Sequence, residues 1–83
     1  MTTTMLKDIT KAIKAEKDAG AFKLRLIMLM TIQKNGREIP QVTNVAEFET
    51  SHILLKSGKV AGWLKNTIEG DSNATYFKVE RLK

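Results

Sequence analysis

The spacing of hydrophobic positions changes along the chain, and each spacing predicts a different element. Residues 4–19 carry apolar side chains at helical intervals, with a lysine row on the opposite side of the helix. The apolar set is Leu6, Ile9 and Ile13, and the lysine row is Lys7, Lys11 and Lys14. We predict an amphipathic helix over 4–19 that stops at Gly20, and we interpret the lysine row as a solvated face.

Residues 21–34 fit two descriptions. Every second residue from Phe22 to Ile32 is apolar, which is typical of a strand, and Asn35-Gly36 is a hairpin turn signal. The segment is also rich in Leu, Met, Lys and Arg, which favour helices, and Asn35-Gly36 would then end the helix. A returning strand would contain Pro40 and would be confined to a sheet edge. We favour the helix and keep the strand as the alternative.

The second half of the chain predicts two short helices and a hairpin. The helices cover 39–48 and 49–57, with Gly58 as the stop. Residues 59–67 and 75–82 read as the two arms of a β-hairpin around the turn-rich stretch 69–73. The expected core residues are Leu26, Ile53 or Leu54, Trp63 and Phe77.

These elements, in this order, resemble a winged helix-turn-helix DNA-binding domain. Two pieces carry the resemblance: Leu54-Leu55-Lys56-Ser57-Gly58-Lys59-Val60 is similar to the end of a recognition helix, and Gly70 to Val79 is similar to a wing tip with its return strand. The resemblance implies a small α+β domain, with three to four helices followed by a C-terminal β-hairpin wing. Its parts would be the N-terminal helix, a helical unit over 21–58 and a wing over 59–82.

The sequence is also compatible with two other arrangements of these elements. The stretch between Gly36 and Gly58 is short for two helices and a turn, and a rival register places the recognition helix at Lys59 to Asn66. If residues 22–34 are extended, the fold becomes helix, β-hairpin, helix, strand. The conformation of residues 22–34 therefore discriminates between these folds.

Composition narrows the function classes. The chain has 83 residues, which we interpret as one domain (1–83), with a net charge of +5 and no cysteine. A basic balance favours polyanions as partners. The single histidine, His52, excludes a multi-histidine metal site, and phosphate-binding glycine motifs are missing. We expect no enzyme activity and no cofactor. With no signal peptide or apolar span in the sequence, we expect a cytoplasmic protein.

The resemblance implies a small transcription regulator that docks a helix in the major groove of double-stranded DNA, with wing contacts to the phosphate backbone. The expected contacts from the helix are Thr50, Ser51, His52 and Lys56, and those from the wing are Lys59, Lys65, Lys78 and Arg81. The helix over 4–19 would be available as a homodimer interface. The alternative, which follows from the strand interpretation, is a small inhibitor or adaptor of a phage or plasmid that binds an acidic surface of a host protein.

Overall fold

A computed structural model describes residues 2–82, with side chains from residue 5 onward. Its elements are α1 (Thr2–Asp18), β1 (Lys23–Lys34), β2 (Arg37–Glu49), α2 (Thr50–Ile53), α3 (Gly62–Gly70) and β3 (Tyr76–Leu82). The strands form one antiparallel sheet in the order β2-β1-β3, so β1 is central. The α+β class is confirmed, and the order of elements corresponds to the alternative of helix, β-hairpin, helix, strand, except that two helices, α2 and α3, take the place of the single one.

The preferred helix over 21–34 is wrong, because residues 23–34 form the central strand. Alternation buries Leu24, Leu26 and Met28 on one face of the sheet. Asn35 and Gly36 have φ values of 53° and 75°, the signature of a type I′ turn, and they connect β1 to β2. A strand paired on both sides gains hydrogen bonds and burial that exceed the small helix preference of Leu, Met and Lys.

The turn at Gly36 yields a first prediction. Gly36→Ala is expected to lower the free energy of unfolding by about 1 kcal/mol, because a side chain is strained at positive φ. The matched control is Gly62→Ala, since Gly62 lies in α3 without a positive φ and an added Cβ meets no atom within 4 Å. Urea denaturation measures both variants. Equal stability of the two would contradict a left-handed conformation at Gly36.

The helix predicted over 39–48 is also wrong, and the helix predicted over 49–57 is wrong in extent. Residues 37–49 form β2, which pairs along the whole of β1, and only Thr50–Ile53 is helical. Pro40 is tolerated because β2 is an edge strand, where a missing N–H costs little. The pairing slips between Met28 and Leu29, so that Thr43 forms a β-bulge between two regular stretches.

The predicted C-terminal hairpin over 59–82 is wrong, and the winged helix-turn-helix arrangement is not confirmed. The extended interpretation of residues 75–82 is confirmed as β3, but the partner of β3 is β1. Most of the predicted first arm, residues 59–67, is helical and belongs to α3. Leu64 and Ile68 lie one helical turn apart, and both are fully buried in the core. The helix of the rival register overlaps α3, which begins later, at Gly62.

The helices pack on one face of the sheet and form the core there. Its fully buried members include Ile9 and Ile13 of α1, Leu26 of β1, Ile53 of α2 and Leu64 of α3. The predictions for Leu26 and Ile53 are confirmed, whereas Leu54 and Phe77 are only partly buried. The prediction that Trp63 is a core residue is wrong: it is 51% exposed. Its ring packs in a T-shaped arrangement with the ring of Phe48, with 6.4 Å between the two centroids.

Candidate nucleic-acid interface

The outer face of α1 carries a straight row of lysines. Ile9 and Ile13 hold the helix against the core with no exposed surface, and this fixes the rotation of the helix. Lys7, Lys11 and Lys14 therefore point to solvent, and all three are exposed. Residues three or four positions apart on a helix lie about 5–6 Å from each other, so the row is nearly continuous.

A second basic element is the turn that follows α2. Leu54 and Val60 form an isolated bridge, and the Leu55 N–H donates to the Lys59 carbonyl at 2.8 Å. Gly58 closes this turn with a φ of 83°. Lys56 and Lys59 are exposed on it, so the bridge holds two lysines on one short protrusion.

The third element is α3, which exposes Lys65 beside its buried Leu64. Because α1 contacts both α2 and α3, the three elements form a continuous layer on one side of the sheet. We call the exposed lysines of this layer the helix-layer lysines: Lys7, Lys11, Lys14, Lys17, Lys56, Lys59 and Lys65.

The helix-layer lysines form no ion pairs within the described residues. The ion pairs there involve Arg25, His52 and Arg81, and no lysine lies within 4 Å of a described carboxylate. Like charges one helical turn apart repel each other and destabilise the helix slightly. Within the row on α1 this repulsion is a cost in the free protein that Asp8 and Asp18 of the same helix offset in part. An anionic partner would relieve the rest.

Three predicted contacts from the recognition helix differ in their exposure. Thr50 is only 5% exposed, and its hydroxyl donates to the Ala21 carbonyl at 2.8 Å, so it joins α2 to the start of β1 and is unavailable to a ligand. Ser51 and His52 are exposed. Their helix has only four residues, too short to lie in a groove as a recognition helix.

Lys78 and Arg81 lie on opposite faces of β3. Arg81 Nε donates to Glu16 Oε2 at 2.6 Å, which joins β3 to α1. This hydrogen bond, together with the negative charge of Glu16, raises the pKa of Arg81 above its ordinary value. Lys78 stands beside Ile27 on the face of the sheet away from the helices.

The predicted site residues thus do not form one surface. The structure brings Lys56, Lys59 and Lys65 into the helix layer and separates them from Lys78. The row Lys7, Lys11 and Lys14, which was interpreted from the sequence as a solvated face, lies in that layer as well. Its periodicity was visible, but only the packing of α1 beside α2 and α3 places it in the same layer as the other lysines.

Metal binding and membrane insertion are two further properties on which the structure bears. Within residues 2–82, no three potential metal ligands come together, and no helix is both long and apolar enough to cross a membrane. Comparisons with protein-family models, curated proteins and solved structures give no match.

Proposed function

We propose that this protein is a double-stranded DNA-binding protein without enzymatic activity, and that the helix-layer lysines contact the phosphate backbone. The observation that supports this is the exposed lysine row on α1, which forms no ion pair within the described residues. Lysine contacts to phosphates release condensed counterions, which supplies much of the affinity of proteins for DNA. Such contacts fix the position of the protein on the duplex without reading the sequence.

The surroundings of the row favour DNA over a protein partner. Protein interfaces draw most of their binding energy from a few buried aromatic, apolar or arginine anchors. None of the exposed large hydrophobic residues of the described chain lies on α1; they are Phe22, Ile39, Val42, Val45, Leu55 and Trp63. Leu55 and Trp63 belong to the helix layer, but the lysine row on α1 has no apolar anchor of its own. Such a row suits a regular array of phosphates better than a folded protein surface.

The finer form of the proposal is a role in transcription regulation. Sequence reading requires side chains that reach base edges. Ser51 and His52 are exposed close in sequence to Lys56, and they are our candidates for such contacts. In this proposal the helix-layer lysines bind the phosphates of the duplex, and Ser51 and His52 in α2 approach its base edges.

The salt dependence of binding tests the proposal. Fluorescence anisotropy with a labelled duplex is expected to give a log–log slope of affinity against salt of about −4, the value for four to five phosphate contacts. Lys11→Gln and Lys14→Gln should each reduce the magnitude of the slope by about one, on all duplex sequences alike.

The matched control is Lys78→Gln, which removes the same charge from the opposite face of the sheet. We expect it to leave the slope unchanged. Equal losses in Lys11→Gln and Lys78→Gln would show that binding follows net charge and not the lysine row. Absence of duplex binding at low salt would reject the DNA proposal.

The extended conformation of residues 23–34 favours a second candidate, a protein-binding inhibitor or adaptor of a mobile element. In that case the helix-layer lysines would face an acidic surface of a host protein. The candidate requires a specific partner to be captured by the wild type. The double variant Lys11→Glu, Lys14→Glu should fail to capture it, and Lys78→Glu should retain it.

A further inference from the structure

The face of the sheet away from the helices, which we call the open face, has an apolar centre. It carries two adjacent cross-strand pairs, Ile27 with Val45 and Leu29 with Val42. Val42 and Val45 are 51% and 47% exposed. Leu29 is nearly buried yet lies outside the core cluster, so its shielding comes from neighbours on the open face.

The β-bulge at Thr43 creates this arrangement. Val42 and Val45 are three residues apart, and in a regular strand they would point to opposite faces. The slipped register places Val45 beside Ile27 and Val42 beside Leu29, so both valines reach the open face. The hydroxyl of Thr43, the extra residue, donates to the carboxylate of Asp71 at the end of α3. The bulge thus adds exposed apolar surface to the open face, an arrangement that contact with solvent alone does not favour.

Around this centre the charges balance in number, and the arginine is already paired. Arg25 lies between two glutamates on the neighbouring strands, at 2.9 Å from Glu47 and 3.8 Å from Glu80. The registers of the three-stranded part place three basic and three acidic residues on the open face: Lys23, Arg25, Lys78, Glu47, Glu49 and Glu80. This face is neutral, although the whole chain carries a net charge of +5.

We propose that the open face binds a second copy of this chain and forms a homodimer. Two chains of charge +5 repel each other when basic surfaces meet, and the balanced open face avoids that repulsion. In a two-fold interface the same surface patch of both copies is in contact. The apolar centres of the two open faces would therefore contact each other, and the mixed charges would form a polar rim. This is the usual anatomy of a protein interface.

The open face is a better dimer interface than the helix over 4–19 that the sequence suggested. Ile9 and Ile13 are already buried inside the chain, and the exposed side of α1 carries the lysine row. Two such rows facing each other would repel. The open face is small: of the seven β1 residues paired with β3, four lie on it, Lys23, Arg25, Ile27 and Leu29. We expect its area to fall below the roughly 800 Å² per partner of a standard interface. We therefore expect a weak dimer that depends on concentration.

Sedimentation velocity of the full chain without DNA tests this proposal, from about 5 µM to about 500 µM, a range suited to weak association. The wild type is expected to shift from monomer to dimer. Val45→Lys places a charge at the centre of the interface, opposite its own copy, and should weaken the dimer at least about tenfold, since a buried unpaired charge is costly. Val45 is 47% exposed in the monomer, so the fold should survive, and circular dichroism verifies this.

The matched control is Leu55→Lys, in the turn after α2. Leu55 is 51% exposed, and the substitution makes the same change of charge, so we expect dimerisation as in the wild type. A wild type that stays monomeric throughout would overturn the proposal and leave the open face to a different protein. A dimer that persists unchanged in Val45→Lys would overturn the assignment of the face.

Salt separates this proposal from the proposed function. Raising the salt concentration should leave the dimer intact, because the apolar centre supplies its stability and the rim is neutral. The same salt should weaken DNA binding steeply. Each proposal can therefore fail without the other.

Discussion

Leu26→Ala is expected to lower the free energy of unfolding by about 3 kcal/mol, within the range of roughly 2–5 kcal/mol for truncation of buried leucines. Leu26 is 1% exposed at the middle of the central strand, between Ala46 of β2 and Val79 of β3. Its side chain faces the helices, so truncation leaves a cavity that the paired backbone cannot close. Small domains have only about 5–15 kcal/mol of stability in total, so the loss should be plain in a urea titration.

Leu55→Ala is the control for this substitution. It removes the same atoms from a side chain that is 51% exposed, and we expect a loss of about 0.5 kcal/mol or less. Similar losses in both variants would mean that residues 23–34 do not bury their even-numbered side chains against the helices. The strand assignment of β1 would then be wrong.

Ile13→Asp is expected to abolish cooperative folding at neutral pH. Ile13 has no exposed surface, and an unpaired carboxylate at a buried site costs several kcal/mol. Thermal unfolding followed by circular dichroism should show no sigmoidal transition, or one shifted far below that of the wild type.

Ala15→Asp is the matched control on the same helix. Ala15 is exposed, on the same side as the lysine row, so the added carboxylate remains in water and stability should stay within about 0.5 kcal/mol of the wild type. A cooperative transition in Ile13→Asp, or unfolding in Ala15→Asp, would contradict the orientation of α1. That orientation underlies the proposed DNA contacts, so this pair of variants also examines the basis of the function.

Local patterns in the sequence were sufficient for some elements. The N-terminal helix is observed as α1, because its apolar residues recur at a single period and its lysines occupy the other side. The turn at Asn35-Gly36 has one dominant conformation, which both residues adopt. The return strand was recognisable from β-branched and aromatic residues. In each case the signal lies within a few residues and does not depend on a distant partner.

The candidate site was only partly predictable. Lys56, Lys59 and Lys65 were identified for their charge, and the structure places them in one layer. Thr50 looked like an exposed contact because it precedes a polar stretch, yet its hydroxyl is taken by the Ala21 carbonyl. Lys78 was assigned to the same surface as the others, and the register of β3 turns it to the open face. The face of the sheet that a residue occupies depends on which strands pair and in which register. No single segment of the sequence determines that pairing.

The sequence by itself determined the amphipathic helix, the sharp turn, the last strand and the basic charge of this protein. Tertiary structure decided the rest. Residues 23–34 fit both a helix and a strand description, and they become a strand because β2 pairs with them along one side and β3 pairs with residues 23–29 on the other. Residues 62–70 become a helix because Leu64 and Ile68 reach the core only with helical spacing. The bulge at Thr43, which brings two valines to one face, exists only in the register of two paired strands. These outcomes rest on contacts between residues far apart in sequence, whose energies exceed the local preferences of under about 1 kcal/mol per residue.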